Sequence, residues 1–328
     1  MRRLVPALAL LACVACAPVP SGAPPIGDVS AVVPRPVDAT ELTGPLPSAV
    51  PNTPSAVPDP ACAANPTASR RPTGPPPAPD AMPAGSTMAT IRDKGRVVVG
   101  VDQNAYLMGF RDPVSGELEG FDIDMAREIA KALFGDPTRI QFRVVSSEQR
   151  IPALRQGDVD IVVRTMTINC DRWAQVDFST VYYQADQRVL VPISSSAAGI
   201  DALGGKRVCA SKGSSSLANI AAHPAKPIPV SVPYWSDCLV LLQQGQVDAI
   251  STDNPILAGL VAQDPFTRIV GEPFAAEPYG MAFPQGHEDF VRFVNAVLER
   301  LRADGTWASI HRRWLGAPPA PPTPSYRD

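Results

Sequence analysis

Two ten-residue stretches repeat one design: LRQGDVDIVV from Leu154 and LQQGQVDAIS from Leu242. In both, Gln-Gly ends a helix, because glycine takes the left-handed cap at no steric cost. Val-Asp then leads into an apolar run that reads as a buried strand. Each stretch has a matching opening upstream, GRVVVG at Gly95–Gly100 and GKRVCA at Gly205–Ala210. A strand, a helix and a second buried strand form a βα unit with a parallel sheet. Two such units predict an α/β protein of two lobes, each with a mainly parallel sheet.

The chain has 328 residues, 45% of them hydrophobic, and a net charge of −3. That is ample for two lobes and leaves no basic footprint for nucleic acid. Met1, Arg2 and Arg3 precede an apolar run from Leu4 to Ala12 and then Cys13-Val14-Ala15-Cys16. A charged start, a short apolar stretch and small residues mark an export signal, too short to span a bilayer. A Cys directly after a small residue resembles a lipoprotein signal, in which that Cys is acylated. Cys16 is the favoured site and Cys13 the alternative, so residues 1–16 are read as the signal region.

Residues 17–86 carry 19 of the 38 prolines with few aromatics. Such a composition predicts an extended, disordered tether. The tail at 317–328, APPAPPTPSYRD, reads the same way.

The stretch from Asp160 to Tyr183 places Arg164, Thr165, Thr167, Asn169 and Arg172 directly after an apolar strand. Polar groups at strand ends are where open α/β sheets hold ligands. A hydroxyl on Thr167 and a guanidinium on Arg172 can converge on one small anion. Among the histidines and cysteines there is no metal-ligand spacing, no Cys/His or Ser/His/Asp constellation and no phosphate loop, so no metal, cofactor or catalytic residue is expected.

In this stretch Thr165, Thr167, Asn169, Arg172, Asp177, Phe178, Ser179, Tyr182 and Tyr183 follow the frame of a motif, G-x-T-x-T-x-x-R then D-F-S-x-x-Y-Y. The motif resembles that of the bacterial solute-binding proteins of family 3, which bind polar amino acids for ABC importers. Thr165 stands where the motif has Gly, and Asn169 where it has Thr. The similarity extends from about Gly95 to Gly316. It takes in GFDIDMAREIA before Lys131, YGMAFPQG from Tyr279 and RADGTWASIHRRWLG ending at Gly316.

The resemblance implies a two-lobed periplasmic-binding-protein fold. Lobe 1 would comprise residues 87–186 and 277–316, lobe 2 residues 187–276, and two crossover strands would act as the hinge. It also implies a site in the cleft. Arg172, with Ser214 and Ser215 at a helix start, would hold a carboxylate, and Asp253 would take an ammonium. Asp102 matches a first-lobe contact, the pattern's aromatic falls on Ala105 with Tyr106 next to it, and Arg150 matches a side-chain carboxylate partner. Arg164 and Thr165 would lie beside them. The exported context favours disulfides among Cys62, Cys170, Cys209 and Cys238. Three connectivities are possible, and Cys209–Cys238 within lobe 2 with Cys62–Cys170 fits the implied topology.

The function implied is that of a lipid-anchored, extracytoplasmic monomer binding glutamate, aspartate, asparagine or glutamine and presenting it to an ABC permease. It would touch the membrane through its anchor alone. A sensory role, with a membrane receptor as partner, uses the same closed lobes, as in actinobacterial glutamine-binding lipoproteins. An enzyme resembling cyclohexadienyl dehydratases would need a general acid in the cleft, for which Asp102 or Glu148 is available.

Overall fold

The repeated Gln-Gly-x-Val-Asp stretches build two equivalent corners. The computed structural model describes residues 34–42, 44 and 60–328, so the signal region and both acylation candidates lie outside the described residues. The helix Arg150–Arg155 leads to Gln156 and to Gly157 at φ +73°. The helix Trp235–Gln243 leads likewise to Gln244 and to Gly245 at φ +66°. Each turn feeds an inner strand, Ile161–Val162 in one lobe and Ala249–Asp253 in the other.

Lobe 1 has a five-stranded sheet in the order Ile140–Val144, Val97–Val101, Ile161–Val162, Ala282–Phe283, Asp177–Phe178. The first three strands are parallel and the last two pairings antiparallel. The helix Glu288–Ala303 packs here through Phe290, Val291, Val294, Val297, Leu298 and Leu301, an apolar stripe at helical spacing. Its acidic first turn and basic last turn complement the helix dipole.

Lobe 2 has a six-stranded sheet in the order Thr40–Glu41, Ile228–Val232, Arg207–Ser211, Ala249–Asp253, Tyr183–Pro192, Thr267–Tyr279. Its inner three strands are parallel. The last two strands are long and antiparallel to one another, running from Tyr183 paired with Tyr279 to Pro192 paired with Thr267. This ribbon carries the chain between the lobes. Cys209–Cys238 ties a lobe 2 strand to its helix, and Cys62–Cys170 ties the N-terminal segment to lobe 1.

That second bridge fastens a segment whose composition predicts a tether. Residues 60–86 are not an extended tether: they lie on lobe 1. Trp173 donates to the Pro66 carbonyl at 2.7 Å, the buried Ser69 hydroxyl donates to Phe178 O at 2.6 Å, and Asn295 donates to Arg70 O at 2.7 Å. The tail is also docked. Tyr326 bridges to Ser69, the Arg327 guanidinium lies 3.9 Å from the Trp173 ring centre, and Asp328 pairs with Arg292. Proline-rich composition lowers the average apolar content, yet a few well-placed anchors and one disulfide suffice to order such a segment. Thr40–Glu41, also inside the expected tether, pairs antiparallel with Ile228–Val232 and forms an edge of the lobe 2 sheet, and Arg207 meets Glu41 at 2.8 Å.

Candidate ligand-binding site

Strand ends, a helix start and the ribbon meet between the lobes. Ser147, Arg150 and Thr165 from lobe 1 and Ser214, Ser215, Ser216, Trp235, Asp253 and Ile256 from lobe 2 line a small, narrow cavity. The lobes touch around it. Arg150 and Arg172 both reach across to the Gly213 carbonyl, at 3.3 and 3.4 Å, and the Ser211 hydroxyl donates to Ser147 Oγ at 3.1 Å.

Two guanidiniums are held without a carboxylate. Arg150 donates to the carbonyls of Ser147, Arg164 and Thr165 at 2.9, 3.3 and 3.2 Å. Arg172 donates to Thr167 O at 2.6 Å. Among the described residues neither forms an ion pair within 4.0 Å. Burial lowers the pKa of Arg150 well below the usual arginine value, and the Arg172 and Arg164 cations add to it. Burial also lowers that of Arg172, opposed by Glu277 and Asp253. Guanidiniums keep their proton regardless. Closing the cleft therefore leaves two desolvated cations in need of an anion.

Arg164 is different. It meets Asp102 at 2.7 Å, with both side chains almost fully buried, and donates to Ser147 Oγ at 2.8 Å. The other Asp102 oxygen accepts from the N–H groups of Gln103 and Asn104 at 2.8 and 2.9 Å. Like Arg172 and Thr167, this closed pair is not part of that cavity's lining, though Arg164 touches it through Ser147. Tyr106 lies near the surface. It is 36% exposed, packs edge-on against Phe110, and its carbonyl abuts Gly259 of lobe 2. The aromatic residue in the lining is Trp235, which the sequence reading missed. Its buried Nε1–H has no acceptor among the described residues.

Thr165 takes φ +36°, a strained value for a β-branched residue and the reason the related motif carries Gly there. Its N–H donates to Asp122 at 2.9 Å, and the Tyr182 hydroxyl donates to the other Asp122 oxygen at 2.7 Å. Burial pushes the Asp122 carboxyl up to about 7 against those two hydrogen bonds.

On the lobe 2 side, Ser214 caps the helix Ser215–Ala222 by accepting from Leu217 N at 3.1 Å. Asp253, at the end of its strand, accepts from Tyr279 OH at 2.5 Å and Ser216 Oγ at 3.3 Å. Burial, with Glu277 adding repulsion, pushes its carboxyl up to about 8. Glu277 itself, on the ribbon, accepts from Thr167, from Ser215 at 2.6 Å and from Asn219 at 2.9 Å. Nothing in the local sequence flags it: a lone Glu in AAEPYG reads as solvated. Only its place on a crossover strand just before the motif-matching Tyr279 could have pointed to the cleft.

The arrangement sets uncommitted cations beside a buried carboxylate, which is complementary to a zwitterion. Residues 97–317 match the model of the bacterial extracellular solute-binding proteins, family 3. The ABC transporter glutamine-binding protein GlnH of Bacillus subtilis (strain 168) is 40% identical over 235 residues, 71% of this chain and 86% of that one. The glutamate-binding protein GluB of Corynebacterium glutamicum is 30% identical over 247 residues, 68% of this chain and 80% of its own. Among solved structures, an ancestral arginine-binding protein bound to glutamine aligns at a TM-score of 0.62 and 36% identity. That alignment spans 68% of this chain and 98% of the other.

Proposed function

Since the chain belongs to the bacterial extracellular solute-binding proteins of family 3, we propose that it binds a polar α-amino acid between its lobes and delivers it to a membrane ABC importer. Glutamine and glutamate lead the four candidates, ahead of asparagine and aspartate. The observation that carries the reading is the pair Arg150 and Arg172, both buried and held only by carbonyls, beside the Asp253 carboxylate. In this reading the ligand α-carboxylate replaces the Gly213 carbonyl as partner of Arg172, assisted by N–H groups at the start of Ser215–Ala222. The ammonium meets Asp253. The side-chain oxygen takes the unpaired Trp235 N–H, and Arg150 serves a side-chain carboxylate. The protein acts outside the cytoplasm as a monomer, anchored by acylated Cys16 or, failing that, Cys13.

Relatives named for glutamine and glutamate binding support this choice. The test is calorimetry of residues 60–328 against all twenty amino acids. Micromolar or tighter binding of one of the four is expected, about −8 kcal/mol. A preference for lysine, arginine or histidine, or no heat at all, overturns it. The same titration at pH 7 in buffers of different ionisation enthalpy should reveal proton release. A carboxyl raised to about 8 is mostly protonated there, and an arriving ammonium favours its ionised form.

A further inference from the structure

We propose that Glu277 fixes the polarity of the hydroxyl groups in the cleft and thereby makes the site demand an ammonium group on its ligand; this rests on the amino-acid reading above. Glu277 is 1% exposed and lies third from the end of the strand Thr267–Tyr279. One of its oxygens accepts from the Thr167 hydroxyl of lobe 1 and, at 2.6 Å, from the Ser215 hydroxyl of lobe 2. The two hydroxyl oxygens are themselves 3.1 Å apart. Its other oxygen accepts from Asn219 at 2.9 Å.

A hydroxyl has one proton to give and two lone pairs to offer. Thr167, Ser215 and the Glu277 oxygen form a triangle with three short sides and only two protons. Both protons can go to the carboxylate, or one can pass from hydroxyl to hydroxyl and the other onward to Glu277. In either arrangement both protons are consumed inside the triangle. What the hydroxyls can still offer a ligand is lone pairs, so they act as acceptors.

This reverses the expectation that Thr167 and Ser215 donate to the ligand carboxylate. Donors to the ligand are then confined to Arg150, Arg172, the Trp235 N–H and the backbone N–H groups of the helix start. Acceptors for a cation gather on the opposite side: Thr167, Ser215 and Asp253, whose own oxygens take the Tyr279 and Ser216 hydroxyls. A ligand with the right carboxylate but no ammonium would leave that acceptor group desolvated and unmatched, which is costly. Glu277 touches no ligand in this scheme. It is a positioning residue that acts through two hydroxyls.

The test compares each amino acid with its des-amino analogue, L-glutamine with glutaramate and L-glutamate with glutarate, by calorimetry. The wild type should prefer the amino acid by a hundredfold or more. Glu277→Met releases both hydroxyl protons toward the cavity, so that preference should fall at least tenfold, with the analogue gaining affinity. If circular dichroism shows that variant unfolded, Thr167→Val decides. Loss of an acceptor should weaken the amino acid at least tenfold and leave the analogue unchanged. Equal weakening of both ligands in a folded variant overturns the proposal and leaves Glu277 a packing role. A wild type that binds the amino acid and its analogue alike overturns it too, while the amino-acid reading survives. A wild type that binds no amino acid overturns both readings together.

Discussion

The corner at Leu154 and the corner at Leu242 share a frame down to single hydrogen bonds. Gly157 N donates to Leu154 O at 3.1 Å and Gly245 N to Leu242 O at 3.0 Å. Asp160 and Asp248 each exchange two 2.8 Å bonds with the neighbouring strand, at Val98 and Arg207. Beyond the shared frame the strands diverge. The lobe 1 strand runs out into Arg164 and the strained Thr165, with Arg172 on the short helix that follows. The lobe 2 strand ends in Asp253. One scaffold thus presents cations and the other a carboxylate, and closure sets them against each other. The stability of the corner resides in the turn and the Asp, whereas the chemistry resides in the residues just past the strand.

The lobes also differ in how they are stapled, and the largest expected effects lie there. Cys62–Cys170 spans 108 residues and fastens lobe 1 from outside, while Cys209–Cys238 spans 29 and fastens lobe 2 from within. Replacing both cysteines of a pair by Ser should cost about 5 kcal/mol for the first and about 4 kcal/mol for the second in the chain-entropy model. Denaturant melts that rank the two the other way would show that the N-terminal strap contributes little to lobe 1.

Next in size come the two charged strand ends. Arg172→Ala and Asp253→Ala should each weaken amino-acid binding a hundredfold or more, about 3 kcal/mol, because each strands an opposite ligand charge in a closed cleft. Near-native affinity in either, with unchanged circular dichroism, breaks the symmetry of the two ends. Arg164→Met should act on stability instead, by about 3 kcal/mol, since it leaves Asp102 buried and unpaired. A shift in the glutamate-to-glutamine affinity ratio with no loss of stability would return Arg164 to the site.

The smallest effects sharpen the shared frame. An added Cβ at Gly157 or Gly245 meets no atom within 4 Å, so Gly→Ala at either costs only the left-handed conformation. Both should lose about 1 kcal/mol, equally and without change in binding. A twofold difference between them would mean that the corners are not energetically equivalent.

The echo of Gln-Gly-x-Val-Asp made two α/β lobes legible, because caps and buried strands are local signals. Arg172 and Asp253 were legible from their position after those strands. The Asp102–Arg164 pair was not, since two residues 62 positions apart neutralise each other only once the sheet has formed. Trp235 and Glu277 escaped for a related reason. Their neighbours in the cleft come from other elements, and an isolated aromatic or carboxylate carries no periodic signature. The docking of 60–86 was hidden by composition: the nineteen prolines of 17–86 outweigh Cys62 and Ser69 in any average, although those two residues carry the attachment.

The ribbon of Tyr183–Pro192 against Thr267–Tyr279 has a mechanical meaning. Strands locked to one another by backbone hydrogen bonds cannot slide, so the lobes can swing about the ribbon but not translate past it. A side chain near the pivot travels little during such a swing, whereas Arg150 and Ser214 sit at the ends of lever arms. Glu277, paired with Ala185 in the ribbon, is thus a nearly stationary reference point. Thr167, bridged to Tyr279 two residues along the same strand, meets it from one side and Ser215 from the other. The carboxylate therefore joins a lobe 1 hydroxyl to a lobe 2 hydroxyl close to the pivot, where a swing of the lobes disturbs such a link least.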